Sequence, residues 1–345
     1  MGKKRLEYID LIKLFVILCV IWGHVIQYCY RYCDMEFFTN SVYSFIYSFH
    51  MPLFMTMSGL FSKSSLNKRM IYMISNKIKS LLIPCLIWYL FFIFCYTLFY
   101  MLLMRHDMKY SISKIPLTIN MFWFINSLFL CYIVFYVSMK LMKKDIYACI
   151  VTCFLLFIIP YGNYANFNFM MPYFWLGYFL QKYDNYIKRH LDFLFLFFTI
   201  SFVILLIPWT GRYNVFKYPI KYFDGITYNY LLVVIYRYII GFSGSLFFLC
   251  LFRKIHSSIS KYRKIRYASL FGQYTLFLYI LDRLLECLYS DIDDNFHISY
   301  TGNLLFFNFI LSPLFAICIL LLGIFIVILI KKNHFLSMLL LGKGN

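Results

Sequence analysis

Long apolar runs broken by short polar segments make up nearly the whole chain. Runs of roughly 17–25 residues, the length of helix that crosses a hydrocarbon core of about 30 Å, recur from end to end. They lie at 10–30, 40–62, 80–104, 117–139, 145–160, 167–181, 193–208, 228–252, 268–290 and 304–330, and predict about ten transmembrane helices. Stretches such as Leu191 to Leu206 are apolar on every side, whereas the strands of a membrane barrel alternate apolar with polar residues. The expected fold class is therefore all-α: a polytopic integral membrane protein forming a single domain over 1–345. Lys3, Lys4 and Arg5 precede the first run as in a signal peptide. That run is long, contains His24 and lacks a small-residue cleavage site, so it reads as a retained helix.

Composition agrees, since 63% hydrophobic residues, 14% charged residues and a mean hydropathy of +0.73 exceed what a soluble domain of 345 residues can bury. A net charge of +19 suggests nucleic acid until the charges are placed. With ten crossings and the N-terminus in the cytoplasm, the cytoplasmic segments hold 23 of the 33 Lys and Arg, and the outer loops hold seven. That bias predicts cytoplasmic N- and C-termini and explains the charge as topology, with anion binding second and no nucleic-acid partner. Eleven cysteines cannot all pair. Cys29 and Cys33, like Cys149 and Cys153, have a one-turn helical spacing that suits a disulfide poorly. No CxxC or HExxH spacing appears, so no metal is expected. The 33 tyrosines and 41 phenylalanines read as interfacial belt and lipid-facing bulk.

Polar groups inside apolar runs are costly and mark sites or internal pairs. The first run carries Asp10, Lys13 and His24. Lys13 and His24 are eleven residues apart, which brings them within about 20° of one helical face and about 16 Å apart along the axis. Asp10 lies within about 40° of that face, one turn below Lys13. An imidazole at depth can take a proton from a hydroxyl nucleophile; it can equally be a hydrogen-bonded histidine of a helix bundle. In the second run, FHMPLFMTMSG, Pro52 interrupts the hydrogen-bond ladder while Ser58 and Gly59 permit close packing. His50 is a further ionisable candidate near the outer end, where it can face water. Arg237, Asp282, Arg283 and Glu286 also fall in apolar runs, and pairing of Arg237 with Asp282 or Glu286 is expected ahead of contact with a polar ligand. The apolar tail from Phe335 to Leu341 reads as an interfacial segment.

Together these segments resemble the family-3 membrane acyltransferases. In that family the first helix carries a basic residue, ten intervening residues and a histidine, as Lys13 and His24 do here. The FHMPLF…SG segment at Phe49 to Gly59 is family-like, and so is the basic loop after it with Lys63, Lys68, Arg69, Lys77 and Lys79. KIKSLLIPCLIW, with Pro84 and Trp88, resembles the entry to the third helix; MFWF, with Trp123 and Phe124, resembles a further segment. GQYTLFLYILD resembles a segment that often ends in histidine, a position held here by Asp282.

The resemblance implies transfer of an acyl group, most often acetyl, from cytoplasmic acyl-CoA to a hydroxyl of a cell-surface or lipid-linked carbohydrate. No cofactor is held permanently, and acetyl-CoA or another acyl-CoA is a co-substrate. Lys13, Lys68, Arg69, Lys77 and Lys79 are then the donor-binding candidates, and His24 with Asp10 the catalytic ones, His24 acting as general base or transient acyl carrier. His50, Ser58, Trp123 and Asp282 are candidates for the substrate groove. The protein is expected in the bacterial cytoplasmic membrane. A transporter or flippase of a sugar-linked lipid also fits many helices with buried charges, yet no two-fold internal repeat with matched broken helices is evident.

Overall fold

A computed structural model describes residues 7–29, 37–102, 122–142, 144–158, 166–214, 228–296, 300 and 302–342, and among them the regular elements are all helical. The first is α1 (Glu7–Cys29), followed by α2 (Ser41–Gly59), capped by the Asn40 side chain, which accepts from the amides of Val42 and Tyr43. Next, α3 (Met70–Lys77) runs through a π-helical turn (Ile78–Leu82) into α4 (Ile83–Leu102). The middle of the chain forms α5 (Trp123–Leu141), α6 (Asp145–Ile158), α7 (Phe167–Lys182), α8 (Asp184–Arg189) and α9 (Leu191–Leu206). Beyond it lie α10 (Tyr228–Ile259), α11 (Arg263–Phe271), α12 (Thr275–Phe296) and α13 (Leu304–Phe306). A second π-helical turn (Phe307–Leu311) leads into α14 (Ser312–Ile330), and α15 (His334–Leu341) ends the described chain.

Each of the ten apolar runs contains a long helix: α1, α2, α4, α5, α6, α7, α9, α10, α12 and α14. Among the described residues, five stretches, Glu7–Cys29, Met70–Leu98, Trp123–Leu141, Leu231–Ile259 and Leu304–Ile330, are long and apolar enough to cross a membrane. Several ends differ from the predicted ones. Helix begins at Met70, ten residues before the third run, because the basic residues there continue an amphipathic helix after hydropathy has fallen. The ninth run splits at a 3-10 turn, Gly272–Tyr274, where the backbone lies against that of Asp10. The tail is a separate helix seated on α4, where Trp88 Nε1 donates to the Leu340 carbonyl at 3.0 Å.

At the centre lies α1, packed against α2, α10, α11, α12 and α14. Trp22 Nε1 donates to Ser312 Oγ at 2.8 Å, and Asn40 Nδ2 to Asn308 Oδ1 at 2.7 Å, fixing the start of the last span beside α1 and α2. Gly59 and Gly177 let α2 and α7 touch backbone to backbone: a Cβ on Gly59 would lie 2.1 Å from the Phe174 carbonyl oxygen. Aromatic residues are not only belt and outer bulk. Phe49, Phe135, Phe174, Trp175 and Phe277 are fully buried and fill the bundle interior. The outward faces are apolar as well, with Leu196, Ile200 and Val203 of α9 and Leu314, Leu321 and Phe325 of α14 exposed. Among the described cysteines, Cys149 and Cys153 are free thiols.

Candidate active site

His24 sits five residues before the end of α1 and meets α12. Asp282 and Glu286, four residues apart, share one face of α12. The imidazole Nδ1 lies 2.7 Å from Asp282 Oδ2 and within ion-pair distance of Glu286 Oε1. Arg283 pairs with the other oxygen of Glu286, and its Nη1 approaches His24 Nε2 at 3.4 Å. The four side chains are 11% (His24), 3% (Asp282), 8% (Glu286) and 13% (Arg283) exposed, so they interact in a low-dielectric setting that leaves only the histidine and arginine partly accessible.

The contacts set the tautomer. A guanidinium only donates, so the Nε2 facing it presents a lone pair, and the ring hydrogen sits on Nδ1 and is donated to Asp282. A base needs that arrangement: a free Nε2 and a carboxylate behind the ring to stabilise the imidazolium. With neutral His24 the group carries one net negative charge, which proton uptake cancels. His24, Asp282 and Glu286 also bring three potential metal-ligand atoms within 4.8 Å of one another, a cluster that chain spacing gave no sign of. Arg283 supplies positive charge against this set. Gly23 brings α2 close beside the histidine, since a Cβ there would lie 2.8 Å from Tyr47 Cε2. Tyr47 in turn stacks on Tyr43 and meets the His50 ring edge-on, with centroids 4.5 Å apart.

A second feature is a cleft of about 500 Å³ lined by Lys68, Lys77, Lys79, Ser64, Ser65 and Ser80, with Met338 and Gly342 on one wall and no acidic lining residue. On an ideal α-helix, residues two apart face nearly opposite ways. Here α3 passes into the π turn between Lys77 and Lys79, and both border the cleft. The Lys77 ammonium stands 3.3 Å from the Tyr132 ring centroid, close enough to Lys68 and Lys13 to be repelled by both. Lys13 lies over the Phe61 ring at 4.6 Å.

A basic cleft and an oriented histidine, with Lys13 close to Lys77 on the helix that carries the histidine, are a layout suited to group transfer. Residues 6–332 match the family-3 acyltransferase domain. The chain belongs to that acyltransferase family. The chain is also 36% identical over 80 residues to nodulation protein NolL of Mesorhizobium japonicum and 38% identical over 81 residues to nodulation protein NolL of Sinorhizobium fredii. Each match covers 23% of this chain, and the chain spans about a fifth of each relative's length (21% and 22%). No solved structure matches it.

Among the residues singled out in the sequence, the structure gathers His24 with Asp282, and Lys68, Lys77 and Lys79 with one another. Arg69 is exposed at the start of α3 and does not line the cleft. Asp10 is buried fourteen residues before His24, about 21 Å along α1, and packs at Gly272, so the structure separates it from the histidine. His50 does not face water: it is buried, and its Nδ1 bonds the Ile46 carbonyl at 2.8 Å. The Ser58 hydroxyl donates to Phe54 O within α2, and Trp123 is half-buried beside Phe124 on α5, which packs principally on α6 and α7. Arg237 does not pair with Asp282 or Glu286, because His24 and Arg283 take those carboxylates; it donates instead to the Tyr213 carbonyl at 2.9 Å. Sequence reading gave Arg283 no role and offered Glu286 only as a partner of Arg237. Their presence in an apolar run was the available signal; their partner lies about 260 residues away.

Proposed function

We propose that this acyltransferase is an O-acyltransferase that moves an acyl group, acetyl in the simplest case, from cytoplasmic acyl-CoA to a hydroxyl of a cell-surface or lipid-linked carbohydrate. The observation that carries the reading is His24, held at Nδ1 by Asp282 with Nε2 left as the basic nitrogen. The acceptor hydroxyl gives its proton to Nε2 as its oxygen attacks the thioester carbonyl; the imidazolium, stabilised by Asp282 and Glu286, returns that proton to the departing thiolate.

Charge supports the donor end. Lys68, Lys77 and Lys79 offer three ammoniums to the nucleotide phosphates, and Lys13, close to Lys77, lies on the helix that carries the histidine. The distance of about 16 Å up α1 from Lys13 to His24 suits an extended pantetheine arm. In this reading the ten long helices all cross the bacterial cytoplasmic membrane, both termini are cytoplasmic, and the acceptor reaches His24 from the opposite side.

The test is mass spectrometry of surface glycans from cells with the gene, without it, and with His24→Ala. Expected is loss of an acetyl-sized mass in the latter two, with the glycans still exported. Retained acetylation in His24→Ala removes the histidine from the mechanism, and loss of whole glycans on deletion indicates an export function instead.

A further inference from the structure

Arg283 has donors that the resting site does not use. On one edge its guanidinium pairs with Glu286, and Nη1 stands 3.4 Å from His24 Nε2. Its Nε is buried and has no acceptor among the described residues. Asp282 is committed to the opposite side of the imidazole, and Glu286 holds the arginine from the residue three positions on. A charged donor kept dry and only partly satisfied beside a general base is costly unless an acceptor arrives during the reaction.

We propose that Arg283 is a second catalytic residue, the donor that stabilises the oxyanion formed in acyl transfer. The inference rests on the acyl-transfer reading above. When the hydroxyl oxygen bonds to the thioester carbon, the carbonyl π pair moves to oxygen and the hydroxyl proton passes to His24 Nε2. The acceptor oxygen must lie within hydrogen-bond reach of Nε2, and the attacked carbonyl is in contact with that oxygen. The negative charge therefore develops next to the guanidinium, whose Nε–H has no acceptor in the resting site. Collapse returns the pair to the carbonyl and breaks the C–S bond; the thiolate takes the proton from His24, and Arg283 returns to its resting contacts. Glu286 positions the guanidinium, and the two carboxylates balance the charges of Arg283 and protonated His24.

The experiment uses membranes containing the full chain, [14C]acetyl-CoA as donor and the cell's own glycan fraction as acceptor, with rates normalised to inserted protein. Arg283→Gln is expected to lower kcat about 10²–10³-fold while the KM for acetyl-CoA changes less than threefold. The defect should shrink at least tenfold with chloroacetyl-CoA, whose more electrophilic carbonyl depends less on oxyanion stabilisation. A purely positioning role lowers both rates equally, and that result overturns the proposal. The double variant Arg283→Gln/Glu286→Gln removes one charge of each sign and keeps the net charge of the cluster unchanged, so it serves if the single variant fails to insert. It is expected to show the same donor-dependent defect, and wild-type kcat in either variant also overturns the proposal. Wild-type membranes that transfer no label count against the underlying acyl-transfer reading, whereas normal wild-type transfer with an unimpaired Arg283 variant rejects only the role of Arg283.

Discussion

At the level of single residues, Asp282 and Lys13 separate chemistry from donor binding. Asp282 accepts the His24 Nδ1 hydrogen, so Asp282→Asn weakens support for the imidazolium and permits the wrong tautomer. Its rate of transfer is expected to fall about 10²–10⁴-fold with insertion unchanged, measured as label moved from acetyl-CoA to glycan. Lys13 stands near the cleft lysines and far from His24 Nε2, so Lys13→Gln should raise the KM for acetyl-CoA about tenfold and leave kcat within a few-fold. An unchanged KM would contradict its donor role. Lys13 and His24 were legible in the sequence because both lie on one helix, where spacing gives the angle between them. The partners of His24 were not, because α12 reaches α1 only through the packing of the whole bundle. Complementary charge suggested Arg237 for Asp282, yet charge alone does not tell which helices touch.

At the level of elements, α15 and α8 show how polar contacts place parts that hydropathy leaves loose. Trp88 Nε1 holds the Leu340 carbonyl, and Met338 and Gly342 then form one wall of the basic cleft. Trp88→Phe keeps the aromatic packing and removes that bond. Hydrogen exchange in 334–341 should quicken and the KM for acetyl-CoA should rise, with kcat preserved; unaltered exchange would show that packing alone seats α15. On α8, Asp184 pairs with Lys188 and with Arg253 of α10, and Arg253 Nη2 also donates to the Tyr8 hydroxyl at 2.7 Å. Burial pushes the Asp184 carboxyl up, but bonds and charge from Lys188 and Arg253 outweigh it and hold the group below the usual carboxylate range. With the folded value the lower one, the stabilisation is complete above the ordinary value of about 3.9 and is lost as pH falls through the folded value. Asp184→Asn should therefore lower Tm in detergent by on the order of 2 °C at pH 7, with the gap narrowing as pH falls below the ordinary carboxylate value. The helices of the ten apolar runs were readable from apolar length, whereas the short α3, α8 and α11 were not. The boundaries at Met70 and Gly272 were not, since one depends on an amphipathic continuation and the other on contact with Asp10.

For the whole molecule, the distribution of polarity matches a bilayer: Leu196, Ile200, Leu321 and Phe325 are exposed, while His24, Asp282, Arg283 and Glu286 are gathered inside. In lipid, exposed leucines cost nothing, and a charged cluster survives only where its members satisfy one another. The five most apolar stretches do not by themselves decide the number of crossings, because α12 carries the charged groups of the site and α2 carries Ser44, Ser48, His50 and Ser58, and both lose hydropathy for that reason. If the ten long helices all cross, the loop after α9 and the segment joining α10 to α11 face opposite sides. Thr210 and Lys261 are exposed in those two places. In intact cells, an impermeant thiol reagent should label Thr210→Cys above the background of native cysteines and should reach Lys261→Cys only after permeabilisation. Equal labelling of both in intact cells would break the alternation between α9 and α10. It would also remove the sidedness on which a donor below Lys13 and an acceptor above His24 depend.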